Sequence, residues 1–400
     1  MKRTILAAIA ALMPLIALCQ GVEGDWSGTL EVPGTKLTIV FHIGENSTMD
    51  VPEQGAKGIS VDIKEMTAMS LKLDIPMIMA SYEGLMMGGS IVGTFTQVGQ
   101  PFPLTLKRGA PSPQRPQTPV PPFPYNTEEV SFQSGEAVLS GTLATPSQMT
   151  EDTPAVVLVS GSGLQDRDEA LMDHKPFAVI ADAFAKKGIA TLRYDDRGFG
   201  RSTGDVQNAT THTFKDDARE AIEYLRSRGF KAVGVLGHSE GGTIAFMLAA
   251  ENVPDFIVSM AGMAETGEIT LRRQLARGLE LEGAPKESID AYVEQTVAQF
   301  KANPNPWTTC FLALDPAPYI AKASCPVLAV NGESDVQVAC EANLGIIRDL
   351  LPSAQAVSYP GLNHLFQHCT TGSTSEYYNI EETMSEEVLA DIASWISNLP

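Results

Sequence analysis

The chain has 400 residues, 44% of them hydrophobic and 19% charged, which is enough for two folded units with cores of their own. Its 28 basic and 48 acidic residues give a net charge of −20, and Lys and Arg form no patch, so nucleic acid is excluded as an expected partner. Beyond the first twenty residues no run of about 18 apolar residues occurs, so no stable membrane span is expected.

In chain order, Lys2 and Arg3 precede an apolar run from Ile5 to Leu18, the pattern of an export signal over residues 1–20. Cleavage is expected near Cys19 or Gln20, which would place the mature chain in the periplasm or outside the cell. Acylation of Cys19 is the alternative, and the bulk of Leu18 weighs against it. Residues 21–109 consist of short alternating segments broken by Gly, Pro and Asn, as in "KGISVDIKEM" and "MGGSIVGTFTQVG". They predict a small all-β accessory domain. Its Met77, Met79, Met86 and Met87 are expected to fill the core. Residues 110–125, "APSPQRPQTPVPPFPY", predict an extended, semi-rigid Pro-rich linker.

From residue 126 to 400 strands and helices alternate. "EEVSFQSGEAVLSGTLATP" predicts an antiparallel hairpin. "PAVVLVSGSG", "IATLRYDD", "KAVGVLGHS", "DFIVSMAG", "CPVLAVNGESD" and "AQAVSYPGLNH" predict further strands. Between them lie the helical "KPFAVIADAFAKKG", "FKDDAREAIEYLRSRG" and "GGTIAFMLAAEN". Such alternation predicts an α/β domain with a mostly parallel sheet and helices on both faces. Near residues 264–323 the pattern breaks, and two helical stretches, 269–283 and 286–303, predict a cap over the sheet's C-terminal edge. Past Cys19 the cysteines are Cys310, Cys325, Cys340 and Cys369; free thiols and one or two disulfides stand as equal readings.

Within this pattern, Gly237-His238-Ser239-Glu240-Gly241 fits G-x-S-x-G, with a strand before it and a helix after. A serine on so sharp a turn projects its hydroxyl at the sheet edge, and the N–H of Glu240 at the helix start can stabilise an anion. Serine needs a base, and the base needs a group to orient it. After Ser239 the histidines are His364 and His368. His364 follows the last predicted strand and is the expected base, whereas His368 is expected at the surface. "VLAVNGESDVQV" offers Asp335 as the acid, with Glu333 as runner-up. A second anion donor is expected from Ser160-Gly161-Ser162-Gly163, and the N–H groups of Ser162 and Gly163 remain equal candidates. Asp196 and Arg197 are expected to brace the loop beside the turn, and His238 to pack. No G-K-[ST] follows the glycine loop, and His42, His174 and His212 lack metal-ligand spacing, so no cofactor or metal is expected.

"SGSGLQDRDEA", "IATLRYDDRGFGRSTGD", "GVLGHSEGGTIA", "VLAVNGESDVQV" and "GLNHLFQ" together resemble the α/β-hydrolase superfamily, and more narrowly the secreted bacterial esterases grouped with serine-aminopeptidase-like hydrolases. The resemblance implies Ser239 as nucleophile, Asp335 as acid and His364 as base. Where members carry Pro after the second glycine of the oxyanion loop this chain has Leu164, and where they commonly carry His it has Ser160. The expected activity is cleavage of small carboxylic esters of short to medium acyl length. A peptidase or aminopeptidase using Glu240, Asp166 and Asp168 to hold a substrate ammonium is one alternative; an acyltransferase is another. A non-catalytic binder of glycan or lipid is a third, against which the complete set of three residues stands.

Overall fold

A computed structural model describes residues 22–32, 35–110 and 113–399. The export signal expected over residues 1–20, with Cys19, lies outside the described residues. The chain divides into two compact units between Pro111 and Ser112.

In the first unit nine strands, counted among the described residues, form one antiparallel sheet. They are β1 (Gly24–Val32), β2 (Thr35–Ile43), β3 (Thr48–Val51), β4 (Ala56–Ser60), β5 (Asp62–Met66), β6 (Ser70–Ile75), β7 (Ala80–Met87), β8 (Ser90–Gln97) and β9 (Gln100–Arg108). Strand order is β4-β3-β2-β1-β9-β8-β7-β6-β5, a meander in which β1 pairs with both β2 and β9. Successive side chains of a strand point to opposite faces. In β6, Leu71, Leu73 and Ile75 are therefore buried with Trp26, Phe41, Tyr82 and Phe95, while the residues between them are less covered. The methionines depart from expectation. Met77, Met79 and Met87 are 75%, 71% and 61% exposed, and of the four only Met86 packs against the core. Met77 and Met79 sit in and just after a short 3₁₀ turn, outside the alternation that buries strand residues.

The second unit holds an eight-stranded sheet among the described residues, in the order β10-β11-β13-β12-β14-β15-β16-β17. The hairpin β10 (Asn126–Ser134) and β11 (Ala137–Thr145) is antiparallel, and β11 also pairs antiparallel with β13 (Ala190–Tyr194). All remaining pairs are parallel: β12 (Ala155–Val159), β14 (Val233–His238), β15 (Ile257–Met260), β16 (Val327–Gly332) and β17 (Gln355–Tyr359). Because both faces are covered, these strands are apolar throughout, and alternate residues feed two cores. Val157, Val159, Val235 and Ile257 pack on one side. There they meet α2 (Thr211–Ser227), α3 (Glu240–Ala250) and α8 (Cys340–Leu350). Val156, Leu158, Leu236 and Val258 pack on the other. There they meet α1 (Pro176–Lys186) and α9 (Glu386–Ser397). A capping box of Thr210 and Thr213 starts α2.

Four helices fill the break between β15 and β16: α4 (Gly267–Leu281), α5 (Lys286–Ala302), α6 (Pro306–Ala313) and α7 (Ala317–Ile320). Residues 113–125 hold to the second unit through side chains. Arg115 donates to the carbonyls of Met172, Tyr378 and Ile380 at 2.8, 2.8 and 3.1 Å. Gln117 accepts from Thr383 N–H and donates to Met384 C=O. Cys310, Cys325, Cys340 and Cys369 are all unbridged, which settles the open choice in favour of free thiols. No helix among the described residues is long and apolar enough to cross a membrane.

Candidate active site

Ser239 occupies the turn between β14 and α3 with φ 54° and ψ −118°, a strained conformation for a residue with a side chain. The two flanking glycines permit it. A Cβ on Gly237 would lie 1.9 Å from Gly241 O, and a Cβ on Gly241 would lie 2.1 Å from Val159 O. The turn is pinned by Ser239 N–H donating to Met260 C=O at 2.9 Å. The first N–H groups of α3 have no partner within their own helix and lie at its positive end.

His364 stands on the loop after β17, and Asp335 on the loop after β16. Both side chains are buried, and His364 Nδ1 lies 2.7 Å from Asp335 Oδ2. The other carboxylate oxygen of Asp335 accepts from the N–H groups of Gln337 and Val338 at 2.7 and 2.9 Å. The two loops are tied by Ser334 N–H donating to Leu362 C=O. The His364 loop is closed by Asn363, whose Oδ1 accepts from Leu365 and Gln367 N–H. Ser239 and His364 line one cavity of about 220 Å³, together with Gly161, Ser162, Glu169, His238 and residues Thr270, Gln274 and Phe311 of the inserted helices. The runners-up are elsewhere: Glu333 is exposed and accepts from Ser358, and His368 is exposed beside Glu382.

The loop Ser160–Gly163 lies against the turn. Gly161 is so near that a Cβ there would be 3.1 Å from Ser239 Cβ. Ser162 lines the cavity of Ser239, whereas Gly163 lines a neighbouring one. Asp196 braces the loop, accepting from Gln165 N–H at 2.8 Å and from Ser160 Oγ. Burial, with Asp217 and Glu169 adding to it, pushes its carboxyl up to about 8 against the bonds from Gln165 and Ser160. Arg197 pairs with Asp217, one helix away.

The residues on either side of Ser239 do more than fill variable positions. His238, expected to pack, bridges two loops: its Nδ1 lies 3.0 Å from Glu169 Oε1 and its Nε2 3.0 Å from His364 O. Glu169 Oε1 also accepts from Gly161 N–H at 2.7 Å. Both ring nitrogens therefore face acceptors, the arrangement of an imidazolium. Burial alone would lower the pKa of His238, but the Glu169 carboxylate, the His364 carbonyl and Asp335 together outweigh it and hold it above the ordinary value. Glu240, on the other side, has a buried carboxylate that accepts from Ser162 Oγ at 2.8 Å, Thr211 Oγ1 at 2.6 Å and Trp307 Nε1 at 3.2 Å. Burial raises its pKa, and the three donors oppose that rise. Glu169, Thr211 and Trp307 escape a reading of the sequence. The available signal is the polar pair His238 and Glu240 inside the apolar "VGVLGHSEGGTIAF", since buried charges call for partners.

The other carboxylates considered as substrate holders are engaged. Asp166 accepts from the N–H groups of Asp168 and Ala170, and Asp168 pairs with Lys175 and Arg193. Arg167 is bound to Asp195 and Glu129.

The chain is similar in part to several known proteins. Residues 173–286 match the family described as serine aminopeptidase, S33. Esterase EstD of Thermotoga maritima is 28% identical over 254 residues, covering 61% of this chain and 62% of its own length. The serine hydrolase BPHL of Mus musculus is 25% identical over 232 residues, covering 53% of this chain and 74% of its own. The chain thus spans somewhat less than two thirds of the esterase. Among solved structures, Est1E from Butyrivibrio proteoclasticus with bound ferulic acid aligns over 67% of this chain and 98% of its own, with 18% identity and a TM-score of 0.49.

Proposed function

We propose, from the premise that the chain belongs to the α/β-hydrolase superfamily, that it cleaves carboxylic esters with Ser239 as nucleophile, His364 as general base and Asp335 as the carboxylate that orients it. The single observation behind this reading is that His364, hydrogen-bonded to the buried Asp335, lines the same small cavity as a serine held at positive φ. In the reaction Ser239 Oγ bonds to the ester carbonyl carbon and gives its proton to His364 Nε2. His364 passes that proton to the alkoxy oxygen as the C–O bond breaks and the alcohol leaves. Asp335, already hydrogen-bonded to Nδ1, fixes the tautomer and stabilises the imidazolium. Water, deprotonated by His364, then releases the acid from the acyl-serine. The oxyanion is held by the N–H of Glu240 and that of Ser162, preferred to Gly163 because Ser162 lines the cavity of Ser239. One such donor contributes about 3–4 kcal/mol to the barrier in known systems. Helices α4 to α7 serve as the cap that bounds the substrate space.

The test is hydrolysis of p-nitrophenyl acetate. Ser239→Ala should lower turnover by about 10⁴-fold or more with its circular dichroism unchanged. Turnover retained in that variant would reject the nucleophile.

One observation favours a second reading, aminopeptidase action. Glu169 lines the same cavity, and its buried Oε2 has no hydrogen-bond partner among the described residues. A substrate ammonium could supply one. Turnover of alanine p-nitroanilide above that of p-nitrophenyl acetate, lost in Glu169→Gln, would establish it.

A further inference from the structure

Both oxyanion donors of the proposed reaction, the N–H groups of Glu240 and Ser162, belong to residues whose side chains also meet. Ser162 Oγ donates to the Glu240 carboxylate at 2.8 Å. The two ends of this link differ in stiffness. Glu240 is buried and opens α3 directly after the turn that Ser239 N–H pins to Met260 C=O. Ser162 stands between two glycines in an irregular loop. Glu169 and Asp196 hold the flanks of that loop, at Gly161 N–H and Gln165 N–H, while the Glu240 carboxylate holds Ser162 itself.

The carboxylate is held in turn from two sides. Thr211 Oγ1, on the first residue of α2, donates to it at 2.6 Å. Trp307 Nε1, on the second residue of α6, donates to both of its oxygens at 3.2 Å each. An indole has one donor, and here it is shared between two acceptors at the long end of the hydrogen-bond range. It is therefore the contact that a small shift of α6 tightens or releases. One turn on in α6, Phe311 stacks on Trp307 with ring centroids 5.1 Å apart, and Phe311 lines the cavity of Ser239. The same helix meets the substrate space with one ring and the oxyanion loop, through Glu240, with the next.

We propose that Trp307 is a positioning residue for the oxyanion hole: through it the inserted helix α6 fixes the Glu240 carboxylate, and with it the Ser162 N–H. The inference rests on the ester-hydrolase reading above. The helix that bounds the substrate space thereby becomes part of the apparatus that stabilises the transition state. An oxyanion forms only once Ser239 has attacked, so a misaligned N–H costs the transition state and leaves substrate binding intact.

Two single variants and their combination test this. Trp307→Phe keeps a ring against Phe311 and removes the N–H donor. Ser162→Ala keeps the backbone N–H and removes the hydroxyl, and serves if the phenylalanine variant fails to fold. On p-nitrophenyl acetate each should lower kcat about 10-fold or more with KM held within about twofold. The double variant should lose no more than the worse single one, because both act through the one carboxylate. A second readout is specific to the oxyanion. With 1,1,1-trifluorohexan-2-one, Ser239 Oγ bonds to the carbonyl carbon, its proton passes to His364 and the carbonyl oxygen becomes an anion; hexan-2-one binds without that charge. Inhibition by the trifluoro ketone should weaken in each variant by about the factor lost in kcat, and inhibition by hexan-2-one should hold within about twofold. Unmoved kcat in both single variants, a loss carried by KM, losses that multiply in the double variant, or both ketones weakened alike would overturn the role of Trp307 while leaving the ester reaction intact. A wild type that turns over no ester and takes up no trifluoro ketone would overturn the ester reading itself, and this inference with it.

Discussion

At the scale of single residues, the site is governed by how buried charges are partnered. Ser239 sits between two such hubs. On one side the imidazole ring of His238 joins Glu169 to the backbone of His364; on the other the carboxylate of Glu240 joins Ser162, Thr211 and Trp307. Removing either hub should misplace a loop by a fraction of an ångström, and misplacement of about 1 Å can cost 10²-fold in rate. His238→Ala is accordingly expected to lower kcat by about 10- to 100-fold in steady-state assays. Asp196 adds a pH dependence whose sign is fixed by its environment. In the unfolded chain its carboxyl ionises near the ordinary value of about 4. In the folded protein burial keeps it protonated until about 8. The folded state binds the extra proton between those values, so this group's contribution to stability is full below pH 4 and is lost as pH rises towards 8. Asp196→Asn removes that loss. Its urea midpoint should fall less than the wild type's between pH 5 and 8, and an equal fall in both would contradict the assignment.

At the scale of elements, much was legible. The apolar runs of β12, β14, β15 and β16 announce strands covered on both faces, and the glycines around Ser239 announce the turn. Asp335 and His364 could be placed at the ends of successive strands because each follows such a run within a few residues. Other features carry no pattern. Glu169 lies in an irregular loop, and Trp307 in an insertion where only two of the four helices have a clear period. Proline content predicts that residues 110–125 are extended, yet composition cannot say what residues 113–125 touch. Their hold depends on one arginine satisfying three carbonyls and one glutamine bonding Thr383 and Met384. Arg115→Ala leaves those carbonyls without their donor and should destabilise the second unit by about 1–3 kcal/mol, read from its denaturant midpoint. Lys at this position presents one compact ammonium in place of the planar fork and should restore only part of the loss.

At the scale of the whole molecule, each of the two units has its own hydrophobic core. Calorimetry should resolve a transition for each. Trp26, fully buried in the first unit, gives a selective probe: Trp26→Ala should cost about 3–5 kcal/mol there and leave the second transition in place. Equal displacement of both transitions would mean that the units unfold as one. The exposed Met77, Met79 and Met87 show the limit of composition at this scale, since a methionine's place depends on whether it falls in a strand's inward register or in a turn. The central claim, that folding makes the Ser239 hydroxyl a nucleophile, is tested most directly by a fluorophosphonate probe and intact-mass analysis of the native chain. A single adduct that maps to Ser239 and is lost in His364→Ala is the predicted result; no adduct on the folded protein, or labelling at another residue, would contradict it.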